Sequence, residues 1–431
     1  MNLTEYKKYH EAYMQNNHGS TSFHTFCCIL FTVQCSIFVS IQPRVSIFRQ
    51  YVYEYLVIVL SMIIAHTVFA EHICLLNCAI FINLVYQLLS YKNVLKIFST
   101  QNIYPNDRIP IISSLRGLTY LITGLCILAV DFKDFPRYLA KTERYGYSLM
   151  DTGVGLFVTM SGLVHKDCYK DSFKNIVMGN LKIVVILVIL GIGRFISVKQ
   201  LDYQEHVTEY GLHWNFFFTI AVCKIMCMFL LYLSSNALLL SLVTLVFHEM
   251  ILHMGIQEWV FSETPRDTFI SANREGISSC LGFISIYLFS VHIRHILMDK
   301  NTTKFGTLKK LLYGSAILWI LTHWNCICPT SRTLANASYC IFIDTILITI
   351  TSIKYFVMVL SEKQHSVPLI LSTINTNGLS YFLIANLLTG SINLTIRTLH
   401  ASSIVTFITL NIYMIATLCV LVYLKYIGIK I

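Results

Sequence analysis

The sequence predicts an all-α, polytopic integral membrane protein, a single bundle of about 13 transmembrane helices. Hydrophobic residues make up 55% of the 431 positions and charged ones only 13%. With a mean hydropathy of +0.63, that leaves too little polar surface to cover a soluble fold of this size. Apolar runs long enough to cross about 30 Å of hydrocarbon recur along the chain, among them Phe23–Ile41, Tyr53–Ala70, Leu181–Val198, Trp214–Leu233 and Val405–Leu424. None alternates with a period of two, which excludes barrel strands.

Taken in order, residues 1–22 are polar and carry Lys7 and Lys8. The first apolar run lies too far inside the chain for an ordinary cleaved signal peptide, so 23–41 is expected to be a retained first span. Spans follow near 53–71, 72–90, 112–130, 148–165, 181–198, 214–233, 236–254, 277–297, 310–327, 336–359, 378–396 and 403–427. The fifth, eighth and twelfth are the weakest. They mix Gly, Ser, Thr, Asn or His among apolar residues, which suits helices facing a bundle interior or a wet cavity. The 14 cysteines lie mostly within spans, as at Cys27, Cys28, Cys223 and Cys227, and read as small packing residues because no zinc spacing accompanies them. No linker or internal repeat divides the chain, so residues 1–431 are expected to form one membrane-embedded domain.

Lys and Arg exceed Asp and Glu by ten, 32 against 22, an excess that in a membrane protein reports orientation rather than nucleic-acid binding. By alternation Lys92, Lys96 and Arg108, then Lys166, Lys170 and Lys174, then Lys300, Lys304, Lys309 and Lys310 share one side. That side is expected to be the cytosol, with the native Asn301-Thr-Thr acceptor there unmodified. The opposite loops hold Asp202, Glu205, Glu209, Glu258, Glu263 and Asp267, which places the N-terminus in the lumen and the C-terminus in the cytosol. Three connections, Asp131–Met150, Lys199–Trp214 and Gln257–Gly276, are longer and more mixed in charge than a turn requires, and all three fall on that lumenal side. Such crowding suits a site at the membrane surface, as it would ordinary solvated loops.

Residues 129–157 read AVDFKDFPRYLAKTERYGYSLMDTGVGLF. The stretch resembles the signature of the glycosylphosphatidylinositol (GPI) inositol acyltransferases, the class W enzymes of GPI-anchor biosynthesis: Asp-Phe, Phe-Pro-Arg, Lys-x-Glu, then Gly-x-Ser-Leu-Met-Asp-x-Gly-Val-Gly. Residues 191–221, GIGRFISVKQLDYQEHVTEYGLHWNFFFTIA, are similar to a second block of that family. REGISS at 274–279, YFLIANLLTGSINLTIRT at 381–398 and the His18-Gly19-Ser20 segment before the first span are familial too. The resemblance implies transfer of a long-chain acyl group, usually palmitoyl, from acyl-CoA to the inositol 2-hydroxyl of glucosaminyl-phosphatidylinositol in the endoplasmic reticulum. It implies acyl-CoA as co-substrate, with no resident cofactor and no metal.

Acyl transfer to a secondary alcohol needs a base for the hydroxyl proton and a positive or donor group where the thioester oxygen gains charge. Asp131 and Lys141 have these groups, and the chain break expected at Pro136 can bring them together. Either a neutral Lys141 oriented by Asp131 is the base, or Asp131 is the base and a charged Lys141 steadies the oxyanion. The bland reading is a charge pair anchoring a loop at the bilayer surface.

The same block offers Arg137, whose guanidinium suits a lipid phosphate or a headgroup anchor, and Glu143 and Ser148 as further substrate contacts. Asp151 suits sugar hydroxyls or the amine, or is a favourable acid at a helix start. In the second block Glu205, His206, Glu209 and His213 stand at helical spacings. They lack the H-E-x-x-H pattern of a metal helix, so His206 and His213 read as headgroup ligands or parts of a structural turn. Asn386 and Asn393 share one apolar span and are expected to line the acyl or lipid cavity, or to bond between helices.

Two other function classes have the same gross composition: a lipid transporter or flippase, and a noncatalytic subunit that binds GPI precursors. A transporter would place its charges mid-membrane in paired broken helices, whereas here they gather in loops on one face. Product formation that depends on acyl-CoA separates all three. Acyl-chain preference, oligomeric state, the route of acyl-CoA and glycosylation at Asn2 are not written in the sequence.

Overall fold

The computed structural model describes residues 5, 9–10, 12–13, 15–89, 98–101, 109–166, 173–200, 209–324, 328–361 and 366–429. Among them the chain is helical throughout, with isolated bridges in place of strands. In chain order the helices are α1 (Ser22–Ser40), α2 (Ile47–His66), α3 (Ala70–Leu88), α4 (Pro110–Ala129), α5 (Leu149–Leu163), α6 (Phe173–Gln200) and α7 (Phe216–Leu233). They continue with α8 (Ala237–Val260), α9 (Arg274–Met298), α10 (Lys304–Trp324), α11 (Ala337–Leu360), α12 (Leu369–Thr376), α13 (Gly378–Thr395) and α14 (Ser403–Tyr426).

Ten described helices are long and apolar enough to cross a membrane. Of the three spans expected to be weakest, the fifth is the 15-residue α5, outside the ten. The twelfth, also outside them, is α13, preceded by the short α12 and divided from it at Asn377, whose amide bonds to the Ile429 carbonyl at 3.1 Å. The eighth, α8, is among the ten but bends at Gly255, where φ is +111°. The tenth, α10, begins with Lys304, Lys309 and Lys310 and is not among them.

Helices α1, α4, α9 and α11 are the most enclosed. The close approach of α5 to two of them rests on small residues: a side chain at Gly162 of α5 would meet the Tyr287 carbonyl of α9, and one at Gly155 would meet Ile343 of α11. Helices α3, α6 and α8 instead present apolar residues outward, such as Ile183, Ile189, Val246 and Phe247, as lipid-facing helices must. Within the core Lys354 of α11 is buried, and its ammonium donates to Ser36 of α1 at 2.8 Å and Ser114 of α4 at 2.9 Å. An intramembrane cation is expensive unless its donors find oxygen, and these two hydroxyls tie three helices together.

The three long polar connections meet at one end of the bundle. Lys141 bonds to Glu209, Tyr145 accepts from Gln257 at 3.1 Å, and the Leu212 amide donates to Ala272 at 2.9 Å. Helices α1, α5, α7, α11 and α14 all start there, each with an N-cap side chain, Thr21, Ser148, Asn215, Asn336 and Ser402, accepting a first-turn amide. Such caps satisfy donors that would otherwise be orphaned at the edge of the hydrocarbon. The other end is tied separately, by Ser366 to Ser40, Lys304 to Thr100, and Glu54 to the Leu369 and Ile370 amides of α12.

Candidate active site

Asp131 follows α4 at the end where the long connections gather, and it is buried. Its Oδ2 accepts from the Asn393 amide of α13 at 2.8 Å, and its Oδ1 lies 3.6 Å from His10 Nε2. Asn393 is half-buried, and its own Oδ1 is buried with no hydrogen-bond partner among the described residues. The chain then runs Asp131–Pro136 through turns, a short 3-10 helix at Arg137–Leu139 and an irregular stretch to Ser148. Pro136 breaks the helix as its ring requires, but it does not join Asp131 to Lys141. Lys141 is exposed, and its Nζ sits 2.5 Å from Glu209 Oε1. The expected pair is therefore corrected to two separate pairs, Asp131 with Asn393 and Lys141 with Glu209, each joining segments remote in sequence.

Beneath Lys141 lies a buried ionic layer. Arg332, from the connection before α11, donates Nε to Asp151 Oδ1 at 2.9 Å, with both side chains almost wholly enclosed. Asp151 Oδ2 accepts from the Thr142 amide at 3.0 Å, the Thr142 hydroxyl at 2.7 Å and Ser148 at 2.8 Å. With four donors in place, Asp151 acts as a post fixing the loop rather than as an open ligand. Ser148 is its N-cap partner, buried and engaged with the Asp151 amide at 3.1 Å. The Arg332 guanidinium also sits over the Tyr210 ring at 5.9 Å. Burial pushes the Glu209 carboxyl up, but Lys141, Arg332 and Arg194 outweigh it and hold the group at about 2. Burial disfavours the Arg332 cation, yet Glu209 and Asp151 raise its pKa well above the ordinary range, and burial lifts the Tyr210 phenol to about 12.

The remaining expected residues fall as follows. Arg137 is partly buried with its guanidinium 5.2 Å from the centre of the Tyr13 ring; burial lowers its pKa, while Tyr13 and Glu143 act to raise it. Glu143 is exposed, accepting from the Asn16 amide at 2.7 Å. His213 is exposed, with its amide bonded to Asn273 Oδ1 at 2.7 Å and its ring edge-on to Phe195. His206 and Glu205 lie outside the described residues, as do Asp202, Lys92, Lys96, Arg108, Lys170 and Asn2. Among the described residues no three His, Cys, Asp or Glu side chains come together as metal ligands. Asn386 differs from the cavity-lining expectation: it is exposed and bonds the Phe382 carbonyl one turn back at 2.7 Å, so its amide is satisfied within its own helix.

Two features were missed by the sequence reading. Arg332 stands alone in PTSRTLANAS, the short connection before α11, and an isolated Arg beside a span was the available signal. The N-terminal segment, expected to be a polar lead ending in the familial His18-Gly19-Ser20, lies on the site. Besides His10 and Asn16, Asn17 bonds the Ala140 and Lys141 carbonyls at 2.8 and 3.0 Å, and Ser20 meets Tyr147 at 2.6 Å. Gly19 and Gly146 hold φ of +73° and +136° where the two strips cross, and a side chain on either would strike the other's backbone.

The GWT1 family model matches residues 6–424 of the chain. The phosphatidylinositol-glycan biosynthesis class W protein of Dictyostelium discoideum is 32% identical, over 97% of this chain and 97% of that protein. The glucosaminyl-phosphatidylinositol-acyltransferase PIGW of Homo sapiens is 30% identical over 97% of this chain and 98% of its own length. The GPI-anchored wall transfer protein 1 of Schizosaccharomyces pombe is 37% identical over 69% of this chain and 68% of its own.

Proposed function

Since the chain belongs to the GWT1 family and is an acyltransferase of GPI-anchor biosynthesis, we propose that it moves a long-chain acyl group from acyl-CoA to the inositol 2-hydroxyl of glucosaminyl-phosphatidylinositol. Palmitoyl is the chain that the family resemblance favours. The observation that carries the mechanism is the contrast at the site. Asp131 is a buried carboxylate oriented by an amide, whereas Lys141 is an exposed ammonium paired with an anion. A base needs a lone pair held toward its substrate, and an oxyanion needs positive charge at the rim where acyl-CoA arrives. Lys141 Nζ already lies 2.5 Å from an anionic oxygen, that of Glu209, the kind of partner an oxyanion would be. This supports Asp131 as base and Lys141 as oxyanion donor. The inositol hydroxyl gives its proton to Asp131, its oxygen attacks the thioester carbon, the C–S bond breaks, and the departing CoA thiolate takes up the proton.

In this reading the end carrying Asp131 faces the lumen of the endoplasmic reticulum, with the N-terminus lumenal and the C-terminus cytosolic. The support is the lysine-rich connection near Lys300, Lys304 and Lys310 at the opposite end. Arg137 and Asn393 are the proposed contacts for the substrate's phosphate and hydroxyl groups. The test uses purified full-length protein with acyl-CoA and glucosaminyl-phosphatidylinositol. Asp131→Ala and Lys141→Ala should each lower acylation per folded molecule by orders of magnitude, and the double variant should be little worse than either. Turnover above about a tenth of wild type in either single variant overturns the assignment.

A further inference from the structure

Lys141 stands in neither helix nor strand, so something else must fix its backbone. One side is held by Asp151, through the Thr142 amide and hydroxyl. The other is held by the N-terminal segment. Asn17 is buried, and its side-chain amide donates to the carbonyls of Ala140 at 2.8 Å and Lys141 at 3.0 Å. The Asn17 carbonyl accepts from the Glu143 amide at 3.2 Å, its Oδ1 accepts from Gly19 at 3.2 Å, and the Asn16 amide holds the Glu143 carboxylate. One side chain thus spends both amide hydrogens on two successive carbonyls, the second of them that of Lys141 itself. Only Asn or Gln has a neutral group with two such donors, and a longer Gln would not fit the same enclosed reach.

We propose that Asn17 is a positioning residue for acyl transfer, so that the segment before the first span is a working part of the active site. The inference rests on the reading of Lys141 as oxyanion donor. Asn17 touches no reacting atom in this scheme; it sets where the Lys141 backbone lies, and hence the reach of an ammonium on a flexible stem. Misplacing a reacting group by about 1 Å can cost about a hundredfold in rate. In this scheme neither substrate binds through these carbonyls, which Asn17 occupies. The signature is therefore a fall in kcat with KM unchanged.

The experiment compares full-length Asn17→Asp, which keeps size and Oδ1 but loses both amide donors, with wild type and Lys141→Ala. Turnover per folded molecule, KM for acyl-CoA and for the lipid, and Tm are measured for each. The expected result for Asn17→Asp is a kcat lower by tenfold to a hundredfold, both KM values within about twofold of wild type, and folded protein recovered from the membrane. If that variant does not accumulate, Asn17→Ala, which removes both donors without adding charge, should show the same fall in kcat with the same KM pattern. Wild-type kcat per folded molecule in the variant that folds overturns the proposal, as does a loss confined to KM or to Tm. If Lys141→Ala is inactive while the Asn17 variants turn over normally, the Asn17 inference alone fails. If Lys141→Ala turns over normally, the underlying reading fails and takes this inference with it.

Discussion

Replacing Arg332 with leucine tests whether the buried ionic layer holds the site together. In the native protein its guanidinium bonds Asp151 at 2.9 Å, both side chains are almost fully enclosed, and Glu209 draws on the same charge. Arg332→Leu leaves the Asp151 carboxylate buried with three of its four donors and removes one of the cations that hold Glu209 down. Breaking a buried pair by deleting one partner costs about 3–5 kcal/mol, more than the roughly 1 kcal/mol of a typical exposed pair. Arg332→Lys keeps charge but loses the planar fork and should recover only part of that loss. Thermal unfolding in detergent at matched protein concentration reads the stability, and acyl transfer per folded molecule reads the site. We expect a clear drop in Tm together with weakened turnover, because the Thr142 ties that position Lys141 hang on Asp151. A Tm within error of wild type in Arg332→Leu would refute the layer as a structural post. A lower Tm with unimpaired turnover would refute its link to the site.

One further outcome follows from the same charge arrangement, and another from the core. A carboxyl whose pKa falls from its ordinary 4.5 to about 2 on folding stabilises the fold above pH 4.5 and loses that contribution as pH drops through about 2. Glu209→Gln should therefore lower stability by an amount on the order of 3 kcal/mol at pH 7; unfolding midpoints of the two proteins should converge between pH 4.5 and 2, and a gap that widened toward acid would contradict the pairing. In the core, Lys354→Met removes the cation and leaves Ser36 still bonded to Val33 at 2.7 Å, so it should be near neutral or stabilising. Ser36→Val with Ser114→Val strands the ammonium and should be strongly destabilising; equal Tm shifts for the two changes would show that Lys354 is not held by these hydroxyls.

The bundle was legible because lipid imposes length and hydropathy directly on each span. The weak spans at α5 and α13 were legible for the same reason, since their polar residues pull hydropathy below that of an ordinary crossing. What hydropathy could not show is the short α12 ahead of the twelfth span, divided from α13 at Asn377, whose amide bonds the Ile429 carbonyl 52 residues away. That bond depends on where the chain's last helix ends. Likewise Lys354 reads in sequence as one costly residue in α11, and only packing reveals the two serines, from α1 and α4, that satisfy it.

The site divides along the same line. Asp131, Lys141, Ser148 and Asp151 stand within one familiar block and could be named from it, but their partners could not. Asn393 reaches Asp131 across 262 positions, Arg332 reaches Asp151 across 181, and Asn17 reaches Lys141 across 124. Those partners sit in helix α13, in the connection before α11 and in the segment before α1, and nothing in local spacing says which stretch touches which. The expectation that Asp131 and Lys141 pair with each other used nearness in sequence as a guide to nearness in space. The fold instead sends the two outward to opposite neighbours, Asp131 toward α13 and Lys141 toward the connection before α7. For a reaction joining a lipid alcohol to a separate thioester, that divergence has chemical sense: two groups locked in a mutual ion pair would have to part before either could serve a substrate, whereas groups held by third parties are already set apart. The site's geometry is thus a property of the end of the bundle, and a segment as remote as residues 16–20 can belong to it.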